Sequence, residues 1–171
     1  DIEGDPMPSR TSAISTVSPL LALAMRPLPL LPLQPLLAVL LHRIERRHSG
    51  IFERLGDHAG KRFGIRPTDL PFAFVLEPKP LHPRVSAVRY LPGRLDACVS
   101  GTLAALVGLV DGAFDGDALF FSRDLRIEGD IEAVLALRNA IDDAQIDLVG
   151  EALDGLGPLK APAERILRDM L

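Results

Sequence analysis

The sequence predicts an α+β domain: a sheet of about five strands, mostly antiparallel, covered by helices and carrying a helical N-terminal extension. Three observations predict it. Five short runs are alternating or wholly apolar, as half-buried or central strands are. Pro- and Gly-rich breaks separate the first four, which favours hairpin order. Helical patterns stand before, between and after these runs, the arrangement of an α+β fold rather than of a regular βαβ repeat. A length of 171 residues suits one domain, or one domain with an extension.

Residues 1–6 read as a cloning remnant and Met7 as the natural start, and residues 1–18, rich in Ser and Thr from Ser9 on, as a flexible N-terminus. Residues 19–41 have the most unusual composition. Eleven of the 23 are Leu, and only Arg26 and Gln34 are polar. Each Leu favours a membrane by about 0.5 kcal/mol. Arg26 opposes this by roughly 3 kcal/mol at mid-span, and each internal Pro costs a helix about 3 kcal/mol. Pro27, Pro29 and Pro32 therefore argue against a single spanning helix. No basic cluster or small-residue cleavage site marks a signal peptide. The reading is a short helix near residues 20–25, an extended link, and a helix from Leu33 or Gln34 to about His48, with Pro35 tolerated in its first turn.

Leu36, Leu37, Leu40, Leu41 and Ile44 form the apolar stripe of that helix, and Arg43, Arg46 and Arg47 end it. Two readings stand. The helix belongs to the core, or it lies at a membrane interface through Leu36, Leu37, Leu40, Arg43, Arg46 and Arg47. Residues 19–48 thus form one segment of possible membrane contact.

Ser49-Gly50 breaks the chain before an amphipathic turn at residues 51–58, with Ile51, Phe52 and Leu55 inward. The strands follow at 62–66, 72–76, 84–89 and 96–100. The second is apolar on both faces and reads as central. In the third, Val85 and Ala87 compete with Ser86 and Val88 for the inward face. Thr102 caps a helix at 103–110 that is apolar at every position but Gly108. Such a helix must be covered on all sides, by protein or by an apolar ligand. Residues 124–128 form the fifth strand. Asp130 caps the next helix, whose buried face reads as Ile131, Val134, Leu135 and Ile141. An acidic helix near 144–153, a Gly-Pro break and a last helix at 162–170 make up a C-terminal unit, 143–171.

The single cysteine, Cys98, excludes an internal disulfide and suits a reducing compartment; its strand position reads as a small buried hydrophobe. The net charge of −4 conceals a division. Residues 26–94 hold 12 Lys/Arg and 5 Asp/Glu, and residues 95–171 hold 6 and 15. This argues against a nucleic-acid binder and is compatible with one face approaching an anionic membrane or an acidic partner. The loop 56–62 resembles a phosphate loop but is one residue short, with Arg62 where Ser or Thr must stand. Glu45 and His48, with His42, make one Glu-x-x-His pair where a di-iron site needs two. No nucleophile elbow, zinc motif or paired-cysteine site occurs. No enzyme chemistry, metal or cofactor is expected.

What remains is apolar, and here a family resemblance enters. Ser100-Gly101-Thr102, the apolar helix after it, and the run LFFSRDLRIEGDIE at 119–132 resemble the C-terminal half of sterol-carrier-protein-type lipid-binding domains. Within that family the run is similar to the UbiT-like branch, bacterial accessory factors of oxygen-independent ubiquinone biosynthesis. The resemblance covers about residues 34–142. It implies a sterol-carrier-like lipid-binding domain at 49–142, whose sheet and helices enclose an acyl or isoprenoid chain. The lining would come from Phe72, Phe74, Leu76, Leu103, Leu106, Val107, Val110, Phe114, Leu119, Phe120, Phe121 and Leu135. It also implies a non-catalytic, cytoplasmic carrier at the membrane surface. This carrier would handle prenylated quinone precursors or phospholipid for hydroxylation proteins of the UbiU–UbiV type. The alternative is an interaction scaffold of the same fold with a filled core.

Overall fold

In the computed structural model of the chain the described residues are 19–20, 30, 33–111 and 124–170. Helix α1 (Leu33–Arg47) leads through a 3-10 turn (Glu53–His58) into β1 (Phe63–Pro67), β2 (Ala73–Glu77), β3 (Arg84–Val88) and β4 (Ala97–Gly101). Helix α2 (Leu103–Asp111), β5 (Leu125–Gly129), α3 (Ile131–Asp143), α4 (Leu148–Gly155) and α5 (Lys160–Met170) complete it. The five strands make one sheet in the order β3-β2-β1-β4-β5. β1 and β4 run parallel, with the β2–β3 hairpin returning the chain between them, and all other pairs are antiparallel.

Register sets which residues share a face. Phe63 lies opposite both Leu76 and Ala97, Ile65 opposite Phe74 and Val99, and Val99 opposite Ile127. Because side chains alternate along a strand, these residues line one face. Ala87 pairs with Phe74 and Val85 with Leu76, so β3 turns Val85 and Ala87 to that face. The other face carries Gly64, Arg66, Cys98, Ser100, Arg126 and Glu128. Leu91 and Leu95 fold back over Gly64, where a Cβ would lie 2.6 Å from Leu95 Cδ1. Cys98 is therefore half-buried on the back of the sheet, 3.8 Å from Ser100 Oγ, rather than a core residue. Strand alternation gives the inward positions to Ala97 and Val99 instead.

Among the described residues two apolar cores form. The first joins Phe63, Ala97, Val99, Leu125 and the helix residues Ala105, Leu106, Leu109, Ala133 and Val134. The second joins Ile44 of α1, the turn residues Ile51, Phe52, Leu55 and Ala59, and Ala140 and Ile146. The caps fall at Thr102, whose Oγ1 accepts from Ala105 N at 3.2 Å, and Asp130, whose Oδ1 accepts from Ala133 N at 2.9 Å.

One face is corrected. Ile131 and Leu135 point outward on α3, 51% and 38% exposed, and Ala133, Val134 and Ala140 are buried instead. The small alanines let the helix backbone approach the sheet and the 3-10 turn closely, which the bulkier Ile131 and Leu135 would prevent. In the tail, the left-handed Gln145 (φ 52°) delays the acidic helix, and Asp147 caps it by accepting from Gly150 N.

Candidate functional site

Helices cover the apolar face of the sheet unevenly. Among the described elements the main helix–sheet contacts fall on β3, under α1, and on β4, under α2 and α3. The two middle strands, β1 and β2, lie between these supports. Phe74, Leu76 and Ile65, on the face the helices share, are only half-buried. Phe72 stacks edge-on against Phe74, ring centroids 5.6 Å apart at 84°. A half-buried apolar strip of Phe72, Phe74, Leu76 and Ile65 thus runs over β2 and onto β1, beside the fully buried Phe63.

Helix α2 borders the strip and is divided lengthwise. Leu106 and Leu109, each 8% exposed, and Ala105 at 0%, pack on the sheet. Leu103, Val107 and Val110, spaced by four and three, form a second apolar stripe that is half-buried. Val110 also lines a cleft of about 450 Å3 with Ile141, Asp142, Gln145, Ile146 and Asp147. The residues the sequence nominates therefore divide. Phe74 and Leu76 line the sheet face on which Leu106 packs, Phe72 stands beside them, and Leu103, Val107 and Val110 lie on the neighbouring, half-buried stripe of the same helix. Leu135 sits on the outer face of α3. Phe114, Leu119, Phe120 and Phe121 lie outside the described residues.

Helix α1 borders the strip from the β3 side, where Gln34 Nε2 donates to Ala87 O at 3.1 Å. Leu36, Leu37 and Leu40 are half-buried, and Leu40 packs on the second core. Gly155 of α4 comes close to Leu36, since a Cβ there would lie 4.0 Å from Leu36 Cδ1. Arg46 is exposed and Arg43 half-buried. Arg47 Nη1 donates to Glu151 Oε1 at 2.6 Å. Glu151 is 7% exposed, and its Oε2 has no hydrogen-bond partner among the described residues. This acid 104 residues away is invisible to local sequence reading. So is Asp69, whose Oδ1 accepts from Leu103 N at 2.9 Å and holds the start of α2.

Two further ion pairs brace helix starts and ends. Lys61 Nζ donates to Asp130 and, with the Ala133 N–H, holds that carboxyl below the usual carboxylate range. Lys160 does the same for Asp154 at 2.6 Å, and its own ammonium is shifted upward in return. Among the described residues no group of three or more His, Cys, Asp or Glu is placed to hold a metal ion. No helix there is long and apolar enough to cross a membrane. The site's chemistry is apolar surface, which gains about 25 cal/mol per Å2 when covered.

Comparison with curated protein sequences found no match. Among solved structures, the UbiJ-SCP2 ubiquinone synthesis protein superposes with a TM-score of 0.51 at 24% identity, over 71% of this chain and 95% of that one. Sterol carrier protein 2 from Yarrowia lipolytica gives 0.45 at 17%, over 60% and 81%. Domain 2 of the Helicoverpa armigera sterol carrier protein gives 0.45 at 18%, over 63% and 84%. The profile of the SCP-2 sterol transfer family matches residues 41–142, more than half of the chain. The chain, with its five-stranded mixed sheet and covering helices, belongs to the SCP-2 sterol transfer family.

Proposed function

We propose that the protein is a non-catalytic carrier that shelters the apolar chain of a prenylated quinone precursor or a phospholipid. The observation that carries this reading is the apolar strip over β1 and β2, left between the helix supports on β3 and β4. A ligand chain lying along Phe72, Phe74, Leu76 and the stripe of α2 would need no polar partner, only shape. The likeness to a protein whose name includes ubiquinone synthesis supports that pathway for this chain. The run at 119–132 adds the oxygen-independent branch and partners of the UbiU–UbiV type.

Residues 49–142 form the carrier unit in this reading, residues 19–48 its membrane side, and residues 143–171 the C-terminal helices, of which α4 packs beside α1. The carrier works in the cytoplasm and touches the membrane surface without crossing it, with the arginines Arg43, Arg46 and Arg47 on that side. The test is native mass spectrometry of protein purified without detergent, followed by organic extraction. A co-purifying prenylated ring or phospholipid is expected. An apo mass that persists after incubation with ubiquinone-like lipids and phospholipid vesicles would move the assignment to the scaffold with a filled core.

A further inference from the structure

Strand β3 is the outer strand on one side of the sheet. From residue 78 to residue 95 the chain carries Lys79, Arg84, Arg89 and Arg94 and no Asp or Glu. All four cations are exposed. Two large apolar side chains flank the strand in the open: Leu81 in the turn before it, 85% exposed, and Tyr90 just after it, 88% exposed. Tyr90 follows Leu81 by nine residues, a reach of at most about 30 Å, so this is one linear strip. Its ingredients are those of an interfacial site. Cations meet lipid phosphates, a leucine enters the apolar boundary, and a tyrosine sits at headgroup level.

Gln34, one residue into α1, is bonded to Ala87 of β3, so the helix starts against this same edge. An acidic protein would match the cations but gives no reason for Leu81 and Tyr90 to stand exposed among them. An anionic bilayer matches both.

We infer that the β3 edge, with Lys79, Leu81, Arg84, Arg89, Tyr90 and Arg94, is the surface by which the protein docks on an anionic lipid bilayer. The inference rests on the membrane-surface part of the function proposed above, and moves the main contact from the arginines of α1 to the sheet edge. Docking there places α1, and the apolar strip beside it, next to the bilayer.

The test is co-flotation of the full chain with vesicles of equimolar phosphatidylglycerol and phosphatidylethanolamine, and with vesicles of phosphatidylcholine alone. The wild type is expected to float with the anionic vesicles only. The charge reversal K79E/R84E/R94E is expected to lose at least about tenfold in partitioning, since each cation near such a surface counts several-fold. L81S/Y90S is expected to lose less, and R46E on α1 to keep most of the binding. All the altered side chains are exposed, and unchanged thermal melts establish that the fold survives. Three results overturn the inference: strip variants that float as the wild type does, wild type that ignores anionic vesicles, or loss in R46E alone. Capture by a polyglutamate resin without vesicle binding overturns it in favour of an acidic partner. Lipid loading, read separately by native mass spectrometry, tells failure of the docking surface from failure of the carrier reading. Strip variants should still hold their lipid.

Discussion

Leu106 and Val107 are neighbours on α2 with opposite duties, and substituting each separates a carrier from a filled scaffold. Leu106 is 8% exposed and packs in the first core with Phe63, Val99 and Val134. Leu106→Ala deletes about three methylene-sized groups, about 2.4 kcal/mol of transfer free energy at 0.8 each. A cavity term raises the expected cost to about 3 kcal/mol. Val107 is half-buried on the other stripe. Val107→Asp forfeits part of a valine's burial and a little helix propensity, about 1 kcal/mol in lipid-free protein. It also puts a carboxylate where a ligand chain would lie. Urea unfolding of delipidated protein, with a slope of about 2 kcal/mol/M, should move the midpoint by about 1.5 M for L106A and about 0.5 M for V107D. Organic extracts of native protein should show lipid with L106A and none with V107D. Equal destabilisation by the two variants, with no lipid in the wild type, would refute the division of α2 and leave a packed core.

Glycine substitutions should divide by what they meet. Gly129 has φ +84° and a Cβ there would run into the Asp96 carbonyl and lie 3.2 Å from Ala97 Cα, all backbone. Gly64→Ala meets only the methyl ends of Leu91 and Leu95. Guanidinium melts should show G129A losing about 2 kcal/mol or more and G64A under about 1; the reverse order would contradict the close β4–β5 approach. Arg47→Ala removes the partner of a buried carboxylate and should cost about 1–3 kcal/mol by urea unfolding. Adding Glu151→Leu should recover much of that loss, and a double variant no better than R47A would show that Glu151 is satisfied some other way. Asp130 is held below the usual carboxylate range chiefly by Lys61, so its folded pKa lies under its unfolded one. Its contribution is present above the ordinary Asp pKa and fades as pH falls through the folded value. Thermal melts across acid pH should show Lys61→Met below wild type at neutral pH, with the gap closing as pH falls below the ordinary Asp pKa; coincident profiles, or a gap that does not change with pH, would refute the pairing.

The fold was legible wherever the signal is local. Strand alternation places five strands within a residue or two, and Thr102 and Asp130 announce their helices because a cap acts within one turn. What the sequence withheld is non-local. The parallel pairing of β1 with β4 depends on β2 and β3 leaving and returning. The facing of β3 was ambiguous until register put Ala87 opposite Phe74. On α3, hydrophobicity favours Ile131 and Leu135, but close approach selects Ala133 and Ala140. The pattern measures apolarity and not the space available. At the candidate site, β2 was readable because a run apolar on both faces belongs in the middle of a sheet. The two stripes of α2 were not, since a helix apolar all round gives no sign of which side meets protein. Glu151 and Asp69, 104 and 34 residues from their partners, left no trace in any local window.

The division of charge along the chain gives the docking surface a direction as well as a site. The cations of residues 26–94 include the β3 edge, whereas residues 95–171 are strongly acidic. Some of that acidity is already engaged, with Glu151 bound to Arg47 and Asp154 to Lys160. An anionic surface attracts the first half and repels the second, so one orientation is favoured before any apolar contact forms. Four cations at about 1 kcal/mol each would supply up to about 4 kcal/mol at low ionic strength, roughly a thousandfold in partitioning. Salt shortens the screening length from about 30 Å at 0.01 M to about 3 Å at 1 M, so this part should vanish. The contribution of Leu81 and Tyr90 should persist, because burial of apolar surface is not screened. Vesicle binding measured against salt should therefore fall steeply to a non-zero plateau. K79E/R84E/R94E should flatten the slope and leave the plateau, and L81S/Y90S should lower the plateau and leave the slope. A wild-type curve independent of salt would remove electrostatic orientation from the docking and leave apolar insertion alone.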